Sequence, residues 1–277
     1  MRLRGPVRLA ARAAAWAAGS GLALASVALA VDVAEPALAH NPELAGDVVA
    51  FYPEHPDDEV LWGASAIRAA LDEKGADNVY VVLVSQGRGA DPLPRPAGWD
   101  ALSPAERGAL RVTEFRAAMH ALGLLDDHVI VLPDTVPGPA DNYAEMRTTA
   151  LELQRAAERQ GKSMTHVAHS YVLDSNALHR GDGQVIRSLL DEHEITSALF
   201  WIKPWYRFRV PAADLVRFQS LTQADVDAVR AAIREYTTSD PADGRFAVGY
   251  RSTPGYFALL QMDPRMTSVL HTAAVAG

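Results

Sequence analysis

The chain has 277 residues, with 26 basic and 34 acidic side chains, nine histidines and no cysteine. Apolar residues make up 49% and charged ones 22%, an ordinary globular composition, and the length fits one or two domains. The missing sulfur excludes a disulfide framework, a thiolate metal site and a cysteine nucleophile. A net charge of −8 argues against a nucleic-acid partner, which needs clustered Lys and Arg.

Arg2, Arg4, Arg8 and Arg12 are the only charges before Asp32, and Ala13 to Val31 is an uncharged run of 19 residues. A basic stretch, an apolar stretch and the small-x-small sites Ala28-Leu29-Ala30 and Ala37-Leu38-Ala39 read as a secretory signal over residues 1–39. The alternative is an uncleaved membrane anchor. Gly19, Ser20, Gly21 and Ser26 make the run weakly apolar, which favours cleavage. The expected location is therefore secreted or in the cell envelope, with membrane contact only through this segment. Without it, the body over residues 40–277 carries 22 − 32 = −10.

From Asp47 onward, short β-branched runs alternate with helical patterns. Strands are expected at 48–52, 79–85, 129–132, 166–169 and 197–202. Helices are expected between them at 60–73, 104–122, 143–160 and 184–194, the second opened by the capping box Ser103-Pro104-Ala105-Glu106. This β-α-β-α order implies one α/β domain, Rossmann-like, with a mostly parallel sheet covered by helices on both faces. Ligands of such sheets bind beyond the carboxyl ends of the strands. The long Gly/Pro-rich connections at 87–102 and 133–142 both follow strands, and Asp134 there either lines a pocket or starts a turn. Beyond residue 202 the pattern loosens into an aromatic stretch (Trp205, Tyr206, Phe208), a helix over 221–237 capped by Thr222, and an ambiguous last forty residues. Those aromatics either stack on a sugar ring or belong to the core.

The first strand runs into His55-Pro56-Asp57-Asp58-Glu59. Imidazole and carboxylate are suitable zinc ligands, and a catalytic zinc uses three protein ligands with one position left for water. His55 and Asp58, three apart, share one side of a turn, which leaves Asp57 beside a metal-bound water. The alternative is a helix N-cap at Asp57 or Asp58, with Glu59 in the first turn.

The pentad resembles the signature of the PIG-L/LmbE-like family of zinc-dependent N-deacetylases. A second match follows at His169-Ser170-Tyr171-Val172-Leu173-Asp174-Ser175-Asn176-Ala177-Leu178-His179-Arg180, similar without a gap to the family's His-x-x-x-x-Asp-x-His-Pro-Asp-His-Arg. Arg111-x-x-Glu114-x-x-x-Ala118, leading to Leu122-Gly123, resembles the family's Arg-x-x-Glu helix. The resemblance covers roughly residues 46–200. It implies an LmbE-like fold, zinc held by His55, Asp58 and His179, and Asp57 as general base and then acid. The implied substrate is the N-acyl group of an amino sugar or glycoconjugate. Asn176 stands where the family has an oxyanion-stabilising histidine; it is a neutral donor to an oxyanion but not a proton donor. Ala177-Leu178 replaces the family's Pro-Asp, and Arg88 replaces a glutamate, altering substrate contact. His169 is the best candidate to orient Asp58 or Asp174, with a satisfied core histidine as the alternative. His40, His120, His128, His193 and His271 are expected to be solvated, and His166 to be a strand residue. The competing function is a metal-binding, catalytically weak carbohydrate-binding protein, suggested by Asn176. A nucleotide-binding role ranks lower, because no Gly-rich turn follows the first strand.

Overall fold

The computed structural model describes residues 37–133 and 142–275. The leader expected over 1–39, apart from its last three residues, and Asp134 therefore lie outside the described residues. The chain after residue 36 begins tied to the body, since Leu38 N–H donates to Gln219 Oε1 at 2.8 Å and Asn41 Nδ2 donates to Gln219 O at 3.0 Å.

The β-branched runs form β1 (Val48–Tyr52), β2 (Val79–Leu83), β3 (Val129–Val131), β4 (Met164–His169) and β5 (Ala198–Ile202). Between them lie α1 (Asp58–Lys74), α2 (Pro104–Leu122), α3 (Tyr143–Arg159) and α4 (Ala177–Asp191). Later come β6 (Leu215–Phe218), α5 (Gln223–Thr237), the two-residue strands β7 (Ser239–Asp240) and β8 (Arg245–Phe246), α6 (Val248–Ser252), α7 (Pro254–Met262) and β9 (Ser268–Thr272). The main sheet runs β3-β2-β1-β4-β5-β9-β6. Its first five strands are parallel, and β9 lies antiparallel to both β5 and β6. The expected α/β sheet is therefore present, with an antiparallel edge supplied by the segment that had no clear pattern.

Period-two alternation divides the core. Val49 and Phe51 of β1 face one apolar layer with α1, α2 and α5, while Val48, Ala50 and Tyr52 face the other with α3 and α4. Chain order reverses between β1 and β4, which pair in register from Val48↔Met164 to Tyr52↔Ala168. The loops after these two strands leave side by side at the switch point, where α/β sheets place their ligands.

Three readings change. Helix α4 begins at Ala177 rather than at 184, with Asn176 as its cap accepting from Leu178 N–H at 3.0 Å. Gly181 and Gly183 suppress the helical signal but are packing residues: a Cβ at Gly183 would lie 2.2 Å from His169 O. Two histidines expected in solvent are buried, because His128 stacks on Tyr80 with centroids 4.0 Å apart, and His271 lies in β9 against Ser170 Oγ at 2.7 Å. His166 lies in β4 as expected, between Tyr52 Oη (2.9 Å) and Gln154 Oε1 (3.1 Å). Of the three aromatics after β5, Trp205 and Tyr206 pack against apolar clusters and Phe208 is 66% exposed. Among the described residues, no helix is long and apolar enough to cross a membrane.

Candidate metal centre and active site

β1 delivers residues 53–57 to the rim, and the turn into α1 is tight. Leu61 N–H and Val60 N–H both bond Asp57 O, so Asp57 occupies the cap position. Its carboxylate does not cap. At φ 126° the residue sits where L-side chains are rare, and Arg111 Nη2 donates to its Oδ2 at 2.8 Å. Arg111 also donates to Pro56 O and to Gly87 O, which ties α2 to the loops after β1 and β2. The capping alternative is thus half right: the position is a cap, and the side chain serves the cavity.

His55, Asp58 and His179 converge from the two rim segments. His55 Nδ1 is 3.3 Å from Asp58 Oδ2, His179 Nε2 is 3.3 Å from that same oxygen, and the two nitrogens are 3.2 Å apart. Ligands about 2.0–2.1 Å from a tetrahedral zinc lie about 3.3 Å from one another. The donor triangle therefore has the size of a zinc coordination face, and its nitrogen–oxygen chemistry suits a divalent metal.

The electrostatics favour the ligand forms. Burial lowers the proton affinity of His55 despite the facing Asp58, and lowers that of His169 to about 4, so both rings are neutral at pH 7. Burial alone would raise the Asp58 carboxyl; the facing His179 and His169 outweigh it and hold it well below the usual range. Asp58 Oδ1 also accepts from Trp62 Nε1 at 3.1 Å. Burial pushes the Asp57 carboxyl well above its usual range, against the pull of Arg111. Asp57 Oδ1 has no protein partner among the described residues, and the side chain lines the cavity.

The remaining candidates divide. His169 Nε2 lies 3.3 Å from Asp58 Oδ2, and its ring stacks on His179 with centroids 4.0 Å apart, which places it behind the triangle. Asp174 Oδ2 lies 3.0 Å from His179 Nδ1. Asn176 and Arg88 line the cavity of about 460 Å³ that opens over the donor triangle. Glu59, the last residue of the pentad, points elsewhere: it accepts from Asp57 N–H and from Tyr236 Oη, and burial raises its carboxyl to about 8. Glu114 accepts from Val248 N–H at 2.8 Å and Gly249 N–H at 3.0 Å, anchoring α6. Lys203 escapes sequence reasoning. It follows β5, is buried, and donates to Asp174 Oδ1 at 2.9 Å while lining the same cavity. Its only sequence signal is its place directly after a parallel strand.

Neither a family model nor a curated protein matches this sequence. Solved structures do. The chain is similar to the N,N'-diacetylchitobiose deacetylase from Pyrococcus horikoshii at 15% identity, with a TM-score of 0.51 over 82% of this chain and 84% of that one. It is similar to the A40926 pseudoaglycone deacetylase Dbv21 at 16% identity, with a TM-score of 0.53 over 83% of this chain and 99% of that one. The fold is that of these deacetylases. A deacetylase of the teicoplanin biosynthetic pathway shares it at 13% identity, with a TM-score of 0.51 over 81% of this chain and 97% of that one. The deacetylase fold agrees with the LmbE-like architecture that the sequence motifs imply.

Proposed function

We propose that this chain is a zinc-dependent hydrolase that removes an N-acyl group, typically acetyl, from an amino sugar or glycoconjugate. One observation carries the reading: a zinc-sized triangle of His55, Asp58 and His179 stands beside an Arg-held carboxylate at the floor of a cavity. The three neighbouring deacetylase structures support the same reaction.

In this reading His55, Asp58 and His179 hold the metal. When bound, zinc polarises the amide carbonyl and lowers the pKa of a water to about 7. Asp57 Oδ1 takes the proton of the attacking water and returns it to the departing amine nitrogen. Arg111 keeps that carboxylate aimed by holding its other oxygen. Asn176 spends its Oδ1 on the cap of α4, so its Nδ2 is what remains to donate to the oxyanion. Asp57 then handles both proton transfers alone. The hydroxyls of Ser85, Ser252 and Thr253, with Trp62 and Tyr256 beside them, suit a polyhydroxylated ring. Arg88 adds a cation to that wall. The leader over residues 1–39 supports export, with the substrate met in the cell envelope or outside it.

The test is amine release from a panel of N-acyl amino sugars by zinc-loaded protein. Release from at least one N-acetylglucosaminide is expected. Tight zinc and sugar binding with no release across the panel would instead establish a carbohydrate-binding protein.

A further inference from the structure

The mechanism above leaves one buried cation without a task. Lys203 is 5% exposed, lies 5.8 Å from the Trp62 ring centroid and 5.9 Å from that of Tyr256, and has Asp174 as its hydrogen-bond partner. Asp174 is itself 7% exposed, and three donors converge on it. Its Oδ1 accepts from Lys203 Nζ at 2.9 Å and from Asn176 N–H at 2.7 Å, and its Oδ2 pairs with His179 Nδ1 at 3.0 Å. A carboxylate only accepts, so the Asp174 contact puts a proton on His179 Nδ1, the tautomer in which Nε2 can serve as a metal ligand beside Asp58 and His55.

We infer that Lys203 is a positioning residue for the metal centre: acting through Asp174, it fixes the ring of His179 with Nε2 in the donor triangle. The inference rests on the proposed metal role of His55, Asp58 and His179. Among the described residues the Asp174 carboxylate has one side-chain partner besides His179, Lys203, while Arg180 Nη1 holds the Asp174 backbone O at 2.7 Å. Without the ammonium, Oδ1 keeps a single backbone N–H, and the carboxylate is held less firmly against His179. Asp174 is hydrogen-bonded directly to His179, and partners of a ligating histidine change metal affinity about 10–100-fold; Lys203 acts one hydrogen bond further out, at the lower end of that range. A lysine that served only as packing over Trp62 would leave affinity unchanged in a folded variant.

The experiment is zinc affinity of the full chain, measured by competition with a chelator, in a double-substitution cycle. Lys203→Met is expected to weaken zinc binding about 10-fold, and Lys203→Arg to retain binding near wild type. In an Asp174→Asn background, Lys203→Met is expected to change affinity less than about twofold, because the path through Asp174 is already cut. An equal loss in both backgrounds, or no loss in either, overturns the inference. If Lys203→Met does not fold, Lys203→Gln and Lys203→Arg decide it: a weakened Gln variant beside an Arg variant at wild-type affinity supports it, and two equal affinities overturn it. A wild-type chain that binds no zinc defeats the underlying metal reading instead.

Discussion

Asp57 is the residue at which backbone, charge and chemistry meet. Holding a non-glycine residue at φ 126° costs on the order of 1–3 kcal/mol, and the surrounding contacts must impose it. Here they do so through the Asp57 O bonds into α1 and the Arg111 pair. Replacing Asp57 by Asn preserves size and removes the base; it should leave zinc binding intact and lower turnover by about 100-fold or more. His179→Ala, by contrast, should lose the metal itself, readable as zinc retained after dialysis. Arg111→Met should destabilise the fold by about 1–3 kcal/mol in denaturant unfolding, because it leaves Asp57, Pro56 O and Gly87 O without their buried donor.

At the scale of elements, the site depends on α4 pressing against the end of β4. Gly183 makes that approach possible, with His169 O 2.2 Å from where a Cβ would stand and Tyr171 N 2.6 Å away. Gly183→Ala should therefore push α4 off the sheet, lower stability by about 1–3 kcal/mol and weaken zinc binding together, since His179 rides on the first turn of α4. A thermal melt and a zinc titration on the same sample check both. The same glycines explain where sequence reading failed: Gly181 and Gly183 mimic a loop, so the expected start at residue 184 misses the cap at Asn176. The strand cores were legible because β-branched runs in a doubly covered sheet are continuously apolar. Their ends were less so, as Val84 and Ser85 still pair with Pro53 O and Glu54 O after β2 has formally ended. His128 and His271 misled because an imidazole whose ring nitrogens find partners is at home in a core, and no sequence pattern separates that case from a solvated one. Lys203 was hidden for a related reason: its partner Asp174 is 29 residues away in sequence.

At the scale of the molecule, a reversal of strand order sets two distant motifs side by side, and the His55–Asp58–His179 triangle follows from topology rather than from either motif alone. The sheet also carries a pH liability away from the site. Burial lowers the proton affinity of His166 to about 3, whereas the unfolded chain titrates near 6.5. Between those values the unfolded state binds the extra proton, so stability should fall as pH drops from about 6.5 toward 3, by at most about 1.4 kcal/mol per pH unit. His166→Gln should flatten that slope in urea unfolding at graded pH. The central claim is metal-dependent amide hydrolysis at His55, Asp57, Asp58 and His179. Its most direct measurement titrates zinc into metal-free protein while following amine release from an N-acetylglucosaminide, with Asp57→Asn run in parallel. Release that rises with occupancy in the wild type and is lower by about 100-fold or more in an equally loaded Asp57→Asn variant is the predicted result. Release that is independent of zinc, or undiminished in Asp57→Asn, would contradict it.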